Sequence, residues 1–360
     1  MKFTINSRVL KSALESANKG INPKPTIPSL ANFLLEGDGL TLTITGSDGN
    51  TTIKETLDCE AEGKALLPTN LLELVRTLNE GEVTIETTDT TATISWKNGK
   101  STFPAFKTGE YPDIADYEGG YLTIKSDTLT SALNHTLPHV ANDEMRPVMG
   151  GVLLNAKNDG TIDFVASDSH TLGLYTIKSD HKEPFSFVCP ASALKIIVGL
   201  AKAGDVEVAK DETSIFFRVG STTIITRQIV GKFPNYSGII PKTFNSTLTA
   251  EKGVLLDSLR RVLVCASKAS GHIKLTLGML ETQIEAQDLS FGVSARETPE
   301  DAKYDGGDLT IGFKGEYLTK CIAPIESSEV KVNFIDARHA AVVTSDEDAS
   351  IMLVMPVQIQ

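Results

Sequence analysis

The sequence predicts an α+β fold of three repeated domains, each with two helices packed on antiparallel sheets. Three observations carry that expectation: self-similarity at about 120 residues, short runs that alternate apolar and polar, and two helical stretches per period. The openings of the units correspond. Phe3-Thr4-Ile5 leads into Leu10 and Leu14, LTIKSDTLTSAL spans 122–133, and LTAEKGVLLDSL spans 248–259. An aspartate closes an alternating run at Asp48, Asp168 and Asp288, each 120 residues after the last. Tyr111-Pro112, Phe233-Pro234 and Met355-Pro356 recur at intervals of 122. Leu72, Leu194 and Leu318 mark the second helix of each unit, with Pro68 and Pro190 near the first two helix starts. The resulting domains are 1–120, 121–243 and 244–360, with boundaries near Gly119-Gly120 and Lys242–Asn245.

Within each period the elements follow in one order. A short strand is followed by an amphipathic helix, as at Leu129 and Leu133 or at Leu255, Leu256 and Leu259. Strict alternation follows, as in Leu40-Thr41-Leu42-Thr43-Ile44-Thr45, where Leu and Ile face one side and Thr the other. Residues 71–78 (LLELVRTL) show the i, i+3, i+4, i+7 pattern of a second helix. Val83 and Ile85, then Ala92, Ile94 and Trp96, return to strands, with a turn expected at Asn98-Gly99.

Composition excludes several classes. No apolar stretch approaches the roughly 20 residues that cross a bilayer. Met1-Lys2-Phe3-Thr4 runs straight into an alternating segment with no signal-peptide core, so a cytoplasmic location and no membrane partner are expected. Cys59, Cys189, Cys265 and Cys321 are scattered, which suits free thiols and excludes a disulfide scaffold or four-thiolate zinc site. No phosphate-cradling glycine loop occurs. His135 and His139 have the i, i+4 spacing of a metal pair, but Pro138 intervenes, and they read as solvated helix-end residues with no metal. Ser167-Asp168-Ser169-His170 contains the residue types of a hydrolase triad, yet sequence neighbours seldom converge as one, and a polar strand-end loop is expected. No catalytic residue and no cofactor are expected.

Charge is modestly segregated, as a solvated helical face would also give. The helical segments hold 13 basic against 6 acidic residues, in a chain of net charge −12. A basic helical surface on an acidic body attracts a polyanion to one face.

Several motifs then add up. The opening MKFTI, Pro25-Thr26-Ile27-Pro28-Ser29-Leu30, Arg146–Leu154 (RPVMGGVLL), Val165–Leu172 (VASDSHTL), Gly231–Pro241 (GKFPNYSGIIP) and the ending LVMPVQIQ resemble the bacterial DNA polymerase III β subunit family over the full length. The resemblance implies a DNA sliding clamp: a head-to-tail homodimer of six domains, with helices lining the hole, that encircles duplex DNA without reading sequence. Implied DNA contacts are Lys24, Arg76, Arg227 and Lys268, with Lys195 added from its helix placement. The implied dimer interface uses Phe103 and Phe106 from the Thr102–Phe106 edge strand and Val264 and Cys265 from a helix. The implied partners are the polymerase III catalytic subunit, the clamp loader, and other polymerases and repair proteins carrying short clamp-binding peptides.

The implied peptide pocket lies between the second and third domains. It carries over as Met149, Ser167, Ser169, His170, Thr171, Leu172, Pro234, Ile239, Tyr317, Leu353, Val354, Met355, Pro356 and Val357. Such a small apolar cleft with polar rims suits an extended peptide with Leu or Phe anchors. Thr171 and Gly238 stand where many relatives have arginine, and Gln358-Ile359-Gln360 replaces a commoner basic and leucine ending, so a less basic rim is expected.

Overall fold

The period-3.6 stretches form six helices among the described residues of the computed structural model, which are all but 115, 182, 280 and 360. They are α1 (Ser7–Asn18), α2 (Asn70–Thr77), α3 (Ser126–Thr136), α4 (Ala191–Leu200), α5 (Lys252–Leu263) and α6 (Gly315–Ile322). Local chemistry sets the helix starts. The Asn6 side chain accepts from the Arg8 amide at 2.9 Å to cap α1, and Glu251 does the same for α5 through Gly253. Leu10, Ala13, Leu14 and Ala17 form the buried stripe of α1. At its end a Cβ on Gly20 would lie 2.6 Å from the Gly46 carbonyl, so only glycine lets helix and strand approach this closely.

The chain divides into two compact units, residues 1–129 with 192–228 and residues 130–191 with 229–360. The first unit holds two antiparallel sheets. One has the order Lys2–Asn6, Glu82–Thr87, Thr91–Trp96, Gly99–Pro104. The other has eight strands and draws on two sequence repeats: Glu62–Pro68, Asn32–Asp38, Thr41–Ser47 and Thr51–Asp58 continue into Thr222–Arg227, Ser214–Val219, Asp205–Lys210 and Leu122–Lys125. The joining pair places Ile53 opposite Ile224. Leu10, Leu14, Phe33, Leu35, Ile44, Leu71, Leu72, Ile85 and Ile94 share its core. Lys97 and Asn98 make the turn, and Gly99 already pairs with Trp96, so the turn falls one residue before the expected Asn98-Gly99.

The second unit repeats the plan. Its nine-stranded sheet runs Phe185–Pro190, Gly151–Ala156, Thr161–Ser167, Thr171–Lys178, Ser350–Val354, Ala341–Thr344, Glu329–Phe334, Ser246–Glu251, Lys303–Asp305. A four-stranded sheet has the order Val293–Glu297, Thr282–Asp288, His272–Leu277, Leu309–Lys314. Here too the sheet crosses a repeat boundary, through Thr171–Lys178 against Ser350–Val354. Leu255, Leu259, Phe313, Leu318, Val332 and Met352 fill the core beneath α5 and α6.

The recurring aspartates have a common job. Asp48 Oδ1 accepts from the amides of Asn50 and Thr51, Asp168 Oδ1 from those of His170 and Thr171, and Asp288 Oδ1 from that of Ser290. Each pins a turn after its strand. His135 and His139 correct the expectation of solvated histidines, since both are completely buried. His135 faces Asp348 and His139 faces Thr171, so the two rings take separate partners rather than converging.

Candidate functional site

A cleft in the second unit encloses about 610 Å³. Its back wall is one face of the nine-stranded sheet, where Leu172 and Leu353 lie within an apolar cluster that also contains Leu153, Val165 and Leu174. The 233–241 segment supplies the facing wall with Phe233, Pro234, Tyr236, Ile239 and Pro241. Buried Asp163 anchors that wall. It accepts from Tyr236 Oη at 2.7 Å and from Thr176 Oγ1 at 2.8 Å, and pairs with Lys157 Nζ at 2.7 Å. Burial, with the hydrogen bond to Asp163, pushes the Tyr236 phenol up to about 12, so it remains a neutral donor.

The structure brings Met149, Ser167, Ser169, Thr171, Leu172, Pro234, Ile239, Leu353 and Met355 together in the cleft lining. The other five sequence-predicted pocket residues are not among the lining. Val354 points to the opposite face of its strand and joins the core with Met352, because alternate residues of a strand face opposite ways. Pro356 and Val357 follow a tail that leaves the cleft, with the Val357 amide donating to the Gly312 carbonyl at 2.8 Å. His170 and Tyr317 stack on each other with centroids 5.3 Å apart. His170 still serves the cleft through its backbone, since its carbonyl accepts from the Met355 amide at 2.8 Å.

Beside the cleft, outside its lining, a polar pair follows the Thr161–Ser167 strand. Lys320 Nζ lies 2.6 Å from Asp168 Oδ2. Burial would raise the Asp168 carboxyl, but Lys320 and the backbone amides of Thr171 and His170 hold it below its ordinary value. Asp168 thus serves the turn and Lys320, and the four-residue polar cluster is a strand-end loop. Arg146, Arg338 and His339 line the cleft, so its rim carries basic side chains beside the uncharged Thr171.

The basic candidates are exposed. Lys24, Arg76, Lys195 and Arg227 lie on the first unit and Lys268 on the second. Arg76 is engaged by Glu15 and Glu73, each at 3.0 Å. Lys19 Nζ reaches α4 at Gly199, one turn beyond Lys195. Phe103 is half-buried against its own core, Phe106 bridges to Leu66, Val264 is 82% exposed and Cys265 is half-buried.

Family comparison covers nearly the whole chain. Residues 1–115, 123–235 and 237–358 match the N-terminal, central and C-terminal domain models of the DNA polymerase III beta subunit. The chain belongs to the DNA polymerase III beta subunit family. It is 27% identical over 379 residues to the beta sliding clamp of Synechococcus elongatus and 23% identical over 370 residues to that of Pseudomonas aeruginosa, with 100% of each chain covered. Its fold is similar to the crystal structures of the DNA polymerase III subunit beta from Pseudomonas aeruginosa and the DNA polymerase sliding clamp from Bacillus subtilis. Both give a TM-score of 0.95 at 22% identity, with all of each chain covered. The fold is thus that of a three-domain sliding clamp, and the function is that of a processivity clamp in DNA replication. It is a non-catalytic subunit that works with DNA and a DNA polymerase. Among the described residues no helix is long and apolar enough to cross a membrane.

Sequence reading named the motif segments holding Arg146, Phe233, Tyr236 and Pro241 without assigning those residues to the pocket. It missed Arg338, His339 and Ala340, which sit at the turn before the Ala341–Thr344 strand. The one local signal was Asp336, an acid two residues before Arg338 in a position to cap a turn.

Proposed function

We propose that two copies of this chain close head to tail into a ring around duplex DNA, and that the cleft of the second unit seats short peptides of its partners. The observation that carries the ring is that each unit has sheet edges paired on one side alone among the described residues, Gly99–Pro104 being one on the first and Val293–Glu297 one on the second. Open edges are templates for pairing, and one on each unit gives a heterologous contact that closes after two copies. Phe106 beside the first edge and Val264 at the end of α5 supply exposed apolar surface, with Phe103 and Cys265 as their partly buried neighbours. In this reading the domains are 1–120, 121–243 and 244–360.

Lys24, Lys195, Arg227 and Lys268 are the DNA contacts in this reading, since no carboxylate pairs with them among the described residues. Arg76 contributes after exchanging its carboxylates for phosphate. Phosphate contact without base readout gives weak, salt-sensitive affinity, so the ring slides while remaining topologically trapped. The peptide partners are the polymerase catalytic subunit, the clamp loader, and other polymerases and repair proteins. Met149, Leu172, Leu353 and Met355 take the apolar anchors, with His170, Tyr317 and Val357 shaping the adjoining surface.

The test is retention of loaded protein on nicked circular against linear DNA. Rings are expected to stay on circles and leave through free ends, and Lys24→Glu is expected to reduce retention without creating sequence preference. Tight, salt-insensitive binding to one particular sequence would sink the reading.

A further inference from the structure

We propose that Arg338 reads a carboxylate carried by the bound peptide beside its apolar anchors. The proposal rests on the cleft being a peptide site and adds the chemistry of one partner residue. Thr171 leaves its position in the lining uncharged, and the turn before the Ala341–Thr344 strand puts a guanidinium on the rim.

That turn is held ready. Asp336 Oδ1 accepts from the amides of Arg338 at 2.7 Å and His339 at 3.0 Å, and both of its oxygens lie 2.9 Å from His339 Nδ1. The one acid of the turn is therefore occupied by backbone and imidazole. Arg338 itself has no ion-pair partner among the described residues, whereas the other rim guanidinium, Arg146, is engaged by Asp143 at 2.7 Å and by Ser169. Arg338 is thus a fixed-charge, planar donor beside an apolar wall of Leu172, Leu353 and Met355. A carboxylate matches it, because the guanidinium fork gives two parallel charge-assisted hydrogen bonds. Its exposure keeps the gain modest and salt-dependent.

The test uses fluorescent peptides with Leu and Phe anchors, in which a glutamate is placed in turn at each flanking position and compared with glutamine. Titration by anisotropy at low salt is expected to find one position where the parent protein binds the Glu peptide about three- to fivefold more tightly, the scale of an exposed ion pair. Arg338→Ala should erase that ratio, and Arg338→Lys should retain part of it. Equal Glu and Gln binding at every position, with both peptides captured, overturns the proposal and leaves the cleft reading standing. Capture of neither overturns the cleft reading and this one with it. An unchanged ratio in Arg338→Ala with poorer retention on circular DNA makes Arg338 a phosphate contact and overturns the proposal.

Discussion

His135 has both ring nitrogens aimed at acceptors: Nδ1 lies 2.7 Å from the Ser131 carbonyl and Nε2 lies 2.9 Å from Asp348 Oδ2. A ring that donates twice holds two protons and a positive charge. Its side chain is 0% exposed and that of Asp348 3%, so this is a buried ion pair, roofed by Tyr175 at 4.8 Å. Burial opposes the charge on His135, but Asp348 and the Ser131 carbonyl outweigh it and raise the imidazole above 6.5. Burial likewise opposes ionisation of Asp348, and His135 with the Glu326 amide lowers it below 3.8. The raised histidine stabilises the fold below 6.5 and loses that contribution as pH rises through its folded value. The lowered aspartate contributes above 3.8 and loses it as pH falls through its folded value. The pair is therefore worth most between about 3.8 and 6.5. His135→Gln should cost about 3–5 kcal/mol, since it strands a buried carboxylate. Thermal melts of parent and variant should differ more at pH 6 than at pH 9; a constant gap would mean that the pair is not ionised.

At the scale of the element, the Ser350–Val354 strand divides its residues between two jobs. Leu353 and Ile351 face the cleft cluster, while Met352 and Val354 face the core under α5 and α6. Val354→Ala should therefore lower unfolding free energy by about 1–3 kcal/mol with peptide affinity unchanged. Met355→Ala, at a residue 40% exposed on the cleft, should do the reverse. A loss of one apolar anchor contact weakens a peptide by roughly tenfold. Denaturant melts beside peptide titrations separate the two outcomes. This strand also shows what a sequence discloses. Its end was legible from Pro356, and the helices from their leucine spacing. Which of two adjacent apolar residues faces the cleft was not, because both faces are buried and alternation loses its contrast. Arg338 was illegible for a different reason: a turn residue's direction depends on the cap that Asp336 makes. The burial of His135 was hidden because its partner lies 213 residues away.

For the whole molecule, ring closure makes mass the direct readout. Sedimentation should give a homodimer near twice 38.7 kDa, and Phe106→Asp or Val264→Asp should shift it toward monomer without lowering the melting temperature of each unit. A monodisperse monomer that never dimerises on raising concentration would exclude the ring.

The sheet pairings across repeat boundaries reach further than architecture. Thr51–Asp58 is bonded to Thr222–Arg227, and Thr171–Lys178 to Ser350–Val354, by main-chain ladders between segments of different repeats. No repeat can then be cut out as a self-sufficient module. A fragment ending at residue 120 would lose four strands from its eight-stranded sheet and bare the ladder of Thr51–Asp58, whose Ile53 is buried in the intact chain. Such a raw edge invites another copy. The fragment should aggregate where the full chain stays dispersed, so the triplicated sequence behaves as an inseparable inheritance whose copies have lost the capacity to live alone.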